Sequence, residues 1–253
     1  MEKNFLTYNM EINGLWQEVR FTAETIEEIF MPFLHELTDL KLTLDRKVIA
    51  YLVAPPGAGK STLAQFLEKL SRERSNEVEP VRALPMDGYH YTAAYMKITT
   101  VERDGEKILM NDIKGAPETF DIDLLVEKIR EARSEGTDWN IYDRKIHDVL
   151  PDFWSVEDDI LLIEGNYLLL KEKGWTNVRV LSDYSVFVEA EPNLLRERLI
   201  NRKVLGGKSR EEAEKFFEFS DAKNIERVLK NSARADETWR LLPDGDFEKL
   251  CTN

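Results

Sequence analysis

The residues Ala54-Pro55-Pro56-Gly57-Ala58-Gly59-Lys60-Ser61-Thr62 directly follow the apolar run Val48 to Val53. Their types suit a loop that wraps phosphate between a strand and a helix. Gly57 and Gly59 let the backbone curl around an anion, because glycine reaches positive φ without steric cost. The amides of Gly57, Ala58, Gly59, Lys60, Ser61 and Thr62 then act as donors. Lys60 can reach the β- and γ-phosphates, Ser61 can ligate Mg²⁺, and a helix starting near Lys60 adds its positive dipole end. The usual motif has glycine where this chain has Ala54. A glycine-bearing turn with an incidental lysine is the competing reading. The amphipathic stretch Leu63, Phe66, Leu67, Leu70 supplies the following helix and favours the phosphate loop.

Two acids stand where such a loop needs them. Asp87, in Met86-Asp87-Gly88-Tyr89-His90, follows the short apolar segment Val81 to Pro85. A carboxylate there can orient an attacking hydroxyl or accept its proton, although Asp-Gly also serves as an ordinary turn or cap. Glu164 ends the run Ile160-Leu161-Leu162-Ile163. From a strand end an acid can hold Mg²⁺ directly or through water, although apolar strands also end in acids for solvation. The helix Asn193 to Lys203 carries Arg196, Arg198, Arg202 and Lys203 before Gly206-Gly207. It reads either as a lid that brings cations to a transferring phosphoryl group or as a salt-bridged surface with Glu191, Glu197, Glu211 and Glu212. Of the three histidines, His35 lies on an N-terminal helix with a structural role expected. His90 is three residues past Asp87 and lines either an acceptor pocket or a strand-end hydrogen bond.

The elements that must position these residues alternate. Leu6 to Ile12 and Leu15 to Phe21 read as a hairpin about Asn13-Gly14. A helix follows from Thr25, with Thr25-x-x-Glu28 as its capping box, an apolar face of Ile26, Ile29, Phe30, Phe33 and Leu34, and a kink expected at Pro32. Beyond the loop come a strand at 81–85, a helix at 121–134, strands at 159–164 and 185–190, and charged helices at 192–203 and 209–229. Such alternation predicts a parallel sheet with helices on both faces, ligands lying at the strand C-termini. Tyr91 to Pro117 shows little periodicity and reads as a lid-like insertion.

The 253 residues carry a formal charge of −13, which argues against nucleic acid as a partner and for a small soluble substrate. The lone Cys251 excludes a disulfide framework or a cysteine-rich zinc site and suits a reducing cytoplasm. The N-terminus lacks a signal-type apolar core, and no apolar run reaches bilayer-spanning length, so a cytoplasmic protein without membrane partners is expected.

From about Lys47 onward the chain resembles the kinases grouped with phosphoribulokinase, uridine kinase and bacterial-type pantothenate kinase. The resemblance rests on the phosphate loop, Met86 to His90, Lys114-Gly115-Ala116-Pro117-Glu118-Thr119-Phe120-Asp121, Tyr142-Asp143-Arg144-Lys145-Ile146-His147-Asp148, Ile163-Glu164-Gly165-Asn166-Tyr167, and Arg202 to Ser209. It is nearest to the nucleoside/nucleotide kinase-like, or fructokinase-like, branch, which carries the Lys-Gly-Ala-Pro and Tyr-Asp-Arg patterns. The resemblance implies a P-loop NTPase fold of three α/β/α layers with a mainly parallel sheet and lid helices at about 192–220. To this core, 47–253, the sequence adds a hairpin-plus-helix appendage at 1–46, which leaves a homodimer open.

It further implies ATP and Mg²⁺, with Asp87, Lys60 and Arg202 as catalytic groups and Ser61 and Glu164 at the metal. Asp87, His90, Lys114, Tyr142, Arg144, His147 and Arg198 would meet the acceptor. Tyr142 and His147 match residues with which uridine kinases contact substrate. Arg144 replaces their aromatic residue, which turns the expectation from a nucleobase toward a carboxylate, phosphate or polyol, unless Arg144 pairs with Asp143 or Asp148. A third lid arginine of the uridine kinases is missing. The reading is an ATP-dependent kinase acting on a small-molecule hydroxyl. A sugar or polyol comes first, a nucleoside or pantothenate-like acid next, and the competing class is an ATP-binding regulatory protein without such activity.

Overall fold

The computed structural model describes residues 3–12, 15–103 and 105–251. The Asn13-Gly14 turn lies outside them. Strands β1 (Phe5–Ile12) and β2 (Leu15–Thr22) pair antiparallel, from Phe5 opposite Thr22 to Ile12 opposite Leu15. Their alternation buries Met10, Ile12, Val19 and Phe21 on one face. Helix α1 (Ala23–Thr25), a π-helical turn (Ile26–Phe30) and α2 (Met31–Leu44) follow without a break.

The capping expected at Thr25 falls instead at Thr22, whose Oγ1 accepts from the Thr25 amide at 3.1 Å. Thr22 is the last extended residue (φ −73°, ψ 153°), whereas Thr25 already has helical angles (φ −59°, ψ −40°). Pro32 sits in the first turn of α2, directly after the π-helical turn. Because proline lacks an N–H, a widened turn there accommodates the interrupted bonding.

The rest of the chain supplies β3 (Val48–Val53), α3 (Lys60–Glu73), β4 (Val81–Pro85) and the short α4 (Ala93–Met96). Next come the hairpin β5 (Thr100–Arg103) with β6 (Glu106–Leu109), helix α5 (Ile122–Ser134), and the hairpin β7 (Thr137–Asp143) with β8 (Asp148–Val156). They are followed by β9 (Ile160–Gly165), α6 (Trp175–Arg179), β10 (Tyr184–Ala190), α7 (Pro192–Leu205), α8 (Arg210–Phe216), a π-helical turn (Phe217–Asp221), α9 (Ala222–Asn231), β11 (Glu237–Leu241) and β12 (Phe247–Leu250).

Six strands form the central sheet in the order β12-β11-β10-β3-β9-β4, parallel except for β12. All six residues of β3 are buried, as a strand covered on both faces requires. Val48, Ala50 and Leu52 enter a core with Phe33, Leu34 and Leu37 of α2 and Leu63, Phe66, Leu67 and Leu70 of α3. Ile49, Tyr51 and Val53 enter the opposite core with Leu125 and Ile129 of α5 and Trp175 and Val178 of α6. The architecture is therefore a three-layer α/β/α sandwich.

β9 lies between β3 and β4, so Asp87 faces the phosphate loop across the end of β9. Two features depart from the sequence reading. The segment 91–117 is built from α4, the β5–β6 hairpin and two 3₁₀ turns. The β7–β8 hairpin, outside the main sheet, replaces what periodicity left unassigned. Among the described residues, no helix is long and apolar enough to cross a membrane.

Candidate active site

The C-terminal ends of β3, β9 and β4 converge on one cleft. Beyond β3, Gly57 and Gly59 take φ of 87° and 85°, and α3 begins at Lys60, so the loop curls and offers a helix N-terminus. Ala54 is fully buried and is not among the positive-φ residues. At that position the backbone needs no glycine, and the methyl group fills core. A Cβ on Gly57 would lie 3.0 Å from Leu199 Cγ, and one on Gly59 would lie 3.9 Å from Arg198 Nη1. Helix α7 thus packs against the loop with the Arg198 guanidinium over it.

At the end of β9, Glu164 is buried. Ser61 Oγ donates to its Oε1 at 2.6 Å, Lys60 Nζ stands 3.8 Å from Oε2, and Oε2 has no hydrogen-bond partner. Burial raises the Glu164 pKa above the usual carboxylate range, opposed by Lys60 and reinforced by Asp87. A hydroxyl beside an orphaned carboxylate oxygen is a hard-oxygen pair that fits Mg²⁺, which takes few protein ligands when phosphates supply the rest.

After β4, a 3₁₀ turn (Met86–Tyr89) carries Asp87. Trp139 Nε1 donates to Pro85 O at 2.9 Å and anchors that turn from β7. No side chain or amide among the described residues hydrogen-bonds the Asp87 carboxylate, so the cap reading is not what the fold uses. Burial disfavours its charge, but Lys60, then His90, Arg144 and Arg202 outweigh burial and hold its pKa below the usual value. His90 stacks on Phe120 with centroids 3.8 Å apart, and its Nδ1 lies 3.2 Å from both Thr119 O and Thr119 Oγ1. Burial lowers the His90 pKa and favours the neutral ring.

A cavity of about 350 Å³ brings Gly57, Gly59, Lys60, Ser61, Thr62, Asp87, His90, Lys114, Arg144, Arg198 and Arg202 together. Among the described residues, Arg144, Arg198 and Arg202 have no carboxylate within ion-pair distance, and Arg144 pairs with neither Asp143 nor Asp148. Arg196, by contrast, is spent on Glu197, Glu214 and Glu218. Tyr142 Oη accepts from Lys114 Nζ at 2.8 Å. The His147 side chain is exposed and does not line this cavity; His147 contributes its carbonyl, which accepts from Lys114 Nζ at 2.9 Å. Asp87, Ser61 and Arg144 also line a second, adjoining cavity of about 780 Å³, floored by α3 and walled by Trp16 of β2 and Trp154 of β8, and it is this second cavity, not the first, that Tyr142 lines.

The chain matches the model of the phosphoribulokinase / uridine kinase family over residues 48–245. The chain belongs to that family. Family members are kinases that bind a nucleotide at the P-loop and act on small molecules. An uncharacterized Escherichia coli protein, YggC, is 36% identical over 94% of this chain and 97% of its own length. A Schizosaccharomyces pombe protein described as "putative uridine kinase C227.14" is 33% identical over 76% of this chain and 82% of its own. The crystal structure of a protein from Silicibacter sp. TM1040 described as a "putative fructose transport system kinase" superposes with a TM-score of 0.68 at 26% identity, covering 80% of this chain and 98% of that one.

Sequence reasoning missed Asn166, Asp221, Asn224 and Gln17, which also line the smaller cavity. Asp221 and Asn224 had a signal: they share a face three residues apart on an otherwise apolar helical stripe, at the end of the π-helical turn. The Oδ1 atoms of Asn166 and Asn224 are buried without partners. Gln17 had none, because nothing in the sequence tells where the hairpin docks. The appendage is no outlier in packing: α2 covers one face of the sheet, and Ile12 and Gln17 reach the phosphate loop.

Proposed function

We propose that this chain is an ATP- and Mg²⁺-dependent kinase that transfers a γ-phosphoryl group to a hydroxyl of a small molecule. A sugar or polyol is the first acceptor class, with nucleosides and pantothenate-like acids behind it. The observation that carries the reading is the Asp87 carboxylate: ionised, held by no hydrogen bond from the described residues, and facing Lys60, Arg144 and Arg202 beside the phosphate loop. A structural acid would be bonded to something. This one is left to accept a hydrogen bond from an incoming hydroxyl.

In this reading the loop amides and Lys60 hold the β- and γ-phosphates, with Arg198 and Arg202 closing over them from α7. Ser61 and Glu164 would hold Mg²⁺, which supplies neutralising charge to the phosphate oxygens. Asp87 aligns the acceptor hydroxyl and takes its proton as the new P–O bond forms. The preference for a polyol is supported by Arg144 in place of an aromatic base-stacking residue, by the buried amide oxygens of Asn166 and Asn224, which suit hydroxyl donors, and by the similarity to the Silicibacter protein.

The test is ADP release by the purified protein with ATP and Mg²⁺ against panels of sugars, nucleosides and pantothenate. ADP that appears only with an acceptor, together with a phosphorylated product, is the expected result. Hydrolysis indifferent to every acceptor would overturn the reading in favour of a regulatory ATP-binding protein.

A further inference from the structure

The cations of the smaller cavity divide into two sets. Lys60 is 3.8 Å from Glu164, Lys203 is 3.2 Å from Asp221, and the phosphates of a nucleotide would occupy Lys60, Arg198 and Arg202. Lys114 and Arg144 are left over, and both line the cavity together with Asp87. Lys114 Nζ donates to two neutral acceptors, Tyr142 Oη and His147 O, and lies 4.5 Å from the Tyr142 ring centroid. Among the described residues no acid forms an ion pair with it, and Asp148 and Asp87 act on it only through space. Asp148 Oδ1 is engaged by the amides of Ala93 and Val149, each at 2.9 Å, and Asp87 faces the phosphate loop.

The placement is built, not incidental. Tyr167 Oη donates to Gly115 O at 2.5 Å, and Gly115 takes φ of 97°, so the chain is turned to aim residue 114 at the cavity. Burial pulls the Lys114 pKa below the usual ammonium value, so the amine has given up water for neutral partners. On a chain of net charge −13, a half-buried ammonium and an unpaired guanidinium in one cleft form a local field that attracts an anion.

We propose that the acceptor is a hydroxylated anion whose carboxylate or phosphate is held by Lys114 and Arg144 while its hydroxyl meets Asp87. This deepens the kinase reading and rests on it for the role of the cleft. The buried, unpartnered Oδ1 of Asn166 supplies an acceptor for a further hydroxyl of the same molecule.

The experiment takes four- to six-carbon sugars in three forms each: neutral, oxidised to the terminal acid, and as the phosphate monoester. Each is titrated calorimetrically into the protein saturated with Mg²⁺ and a non-hydrolysable ATP analogue, and assayed in parallel for ADP release with ATP. For at least one carbon skeleton, the acid or the ester binds at least tenfold tighter than the neutral form. Which of the two does so identifies the anion. Lys114→Met reduces that preference to below twofold, and Lys114→Arg, which keeps the charge, retains most of it. The inference is overturned if no anionic form binds, if neutral forms bind as tightly throughout, or if the preference survives Lys114→Met. Anion-selective binding without ADP release would retire the kinase reading alone; transfer to neutral sugars only would retire the anion alone.

Discussion

Replacing Asp87 with Asn separates binding from chemistry, and the geometry sets both magnitudes. Because no described group hydrogen-bonds the carboxylate, the substitution breaks no hydrogen bond and removes only the attraction of Lys60, His90, Arg144 and Arg202, so a modest loss of stability, about 1 kcal/mol or less, is expected. Nucleotide affinity should hold or improve, since the lost charge is a negative one beside Lys60 and Arg202. Asn can still accept a hydrogen bond but cannot take the proton. Loss of a positioned base costs roughly 10²- to 10⁴-fold, or about 2.7 to 5.4 kcal/mol of barrier. The assay pairs a nucleotide titration with acceptor-dependent ADP release on one preparation, with a melting curve as control. Transfer within threefold of wild type would refute the role of Asp87. A matching loss of nucleotide affinity would instead make it an organiser of the phosphate site.

Glu164→Gln should raise the Mg²⁺ concentration needed for half-maximal activity by about tenfold or more, because it removes the carboxylate beside Ser61 that fits the metal; an unchanged magnesium titration would return Glu164 to a structural role. In Gly88→Ala, the new Cβ would lie 2.0 Å from Asn140 O and 2.3 Å from Asn140 C. Since backbone cannot yield as a side chain does, a loss of about 1–3 kcal/mol is expected, read as a fall of roughly 2–12 °C in melting temperature, with a raised acceptor KM as Tyr142 shifts.

Asp183 supplies the pH prediction. Burial opposes its ionisation, but hydrogen bonds from Arg46, the Ile49 amide and Arg133 hold its pKa below the usual 3.8. A depressed carboxyl contributes stability above its unfolded pKa and loses it as pH falls through the folded value. Wild type should therefore lose this increment below about pH 4, whereas Asp183→Asn should lack about 2 kcal/mol already at neutral pH, with screening at Arg46 allowed for, and show a flatter acid limb in urea titrations. Parallel acid limbs would refute it.

The parts of the fold legible in the sequence were those encoded locally. The phosphate loop needs two glycines, a lysine and a hydroxyl in consecutive register, and β3 and β9 are unbroken apolar runs because both of their faces are covered. What escaped depends on partners far along the chain. The residues of β7 and β8 mix Trp, Asn and Asp without strict alternation, because the pairing register shifts between Trp139 and Ile141 and breaks the two-residue period. In β11 and β12, five and four residues, the strands are too short to show a period. The capping misplacement at Thr25 arose because Thr22 and Thr25 both precede acidic residues; Thr22 is the extended residue and caps, while the Thr25 hydroxyl makes a long-range bond to Phe247 O at 3.3 Å that no local pattern shows. Tyr142 and Arg144 could be named from their motif, whereas Asn166 and Gln17 required the assembled cleft.

The aromatic cluster beneath the hairpin gives biosynthesis a fixed order of events. Phe21 and Phe30 lie 6.0 and 5.9 Å from Phe247, Phe30 and Phe33 lie 5.6 and 5.4 Å from Trp239, and Thr22 Oγ1 donates to Asp246 Oδ2 at 2.9 Å across 224 residues of sequence. A ribosome adding about 5–20 residues per second takes roughly 10 to 45 s to span that interval. Throughout it the hairpin and the first helical turns can pack on Phe66 but lack β11 and β12, so the faces of Phe21, Phe30 and Phe33 toward those strands stay uncovered in the nascent chain. The segment that roofs the phosphate loop is made before two of the strands it rests on, and it is fully seated only when β11 and β12 emerge.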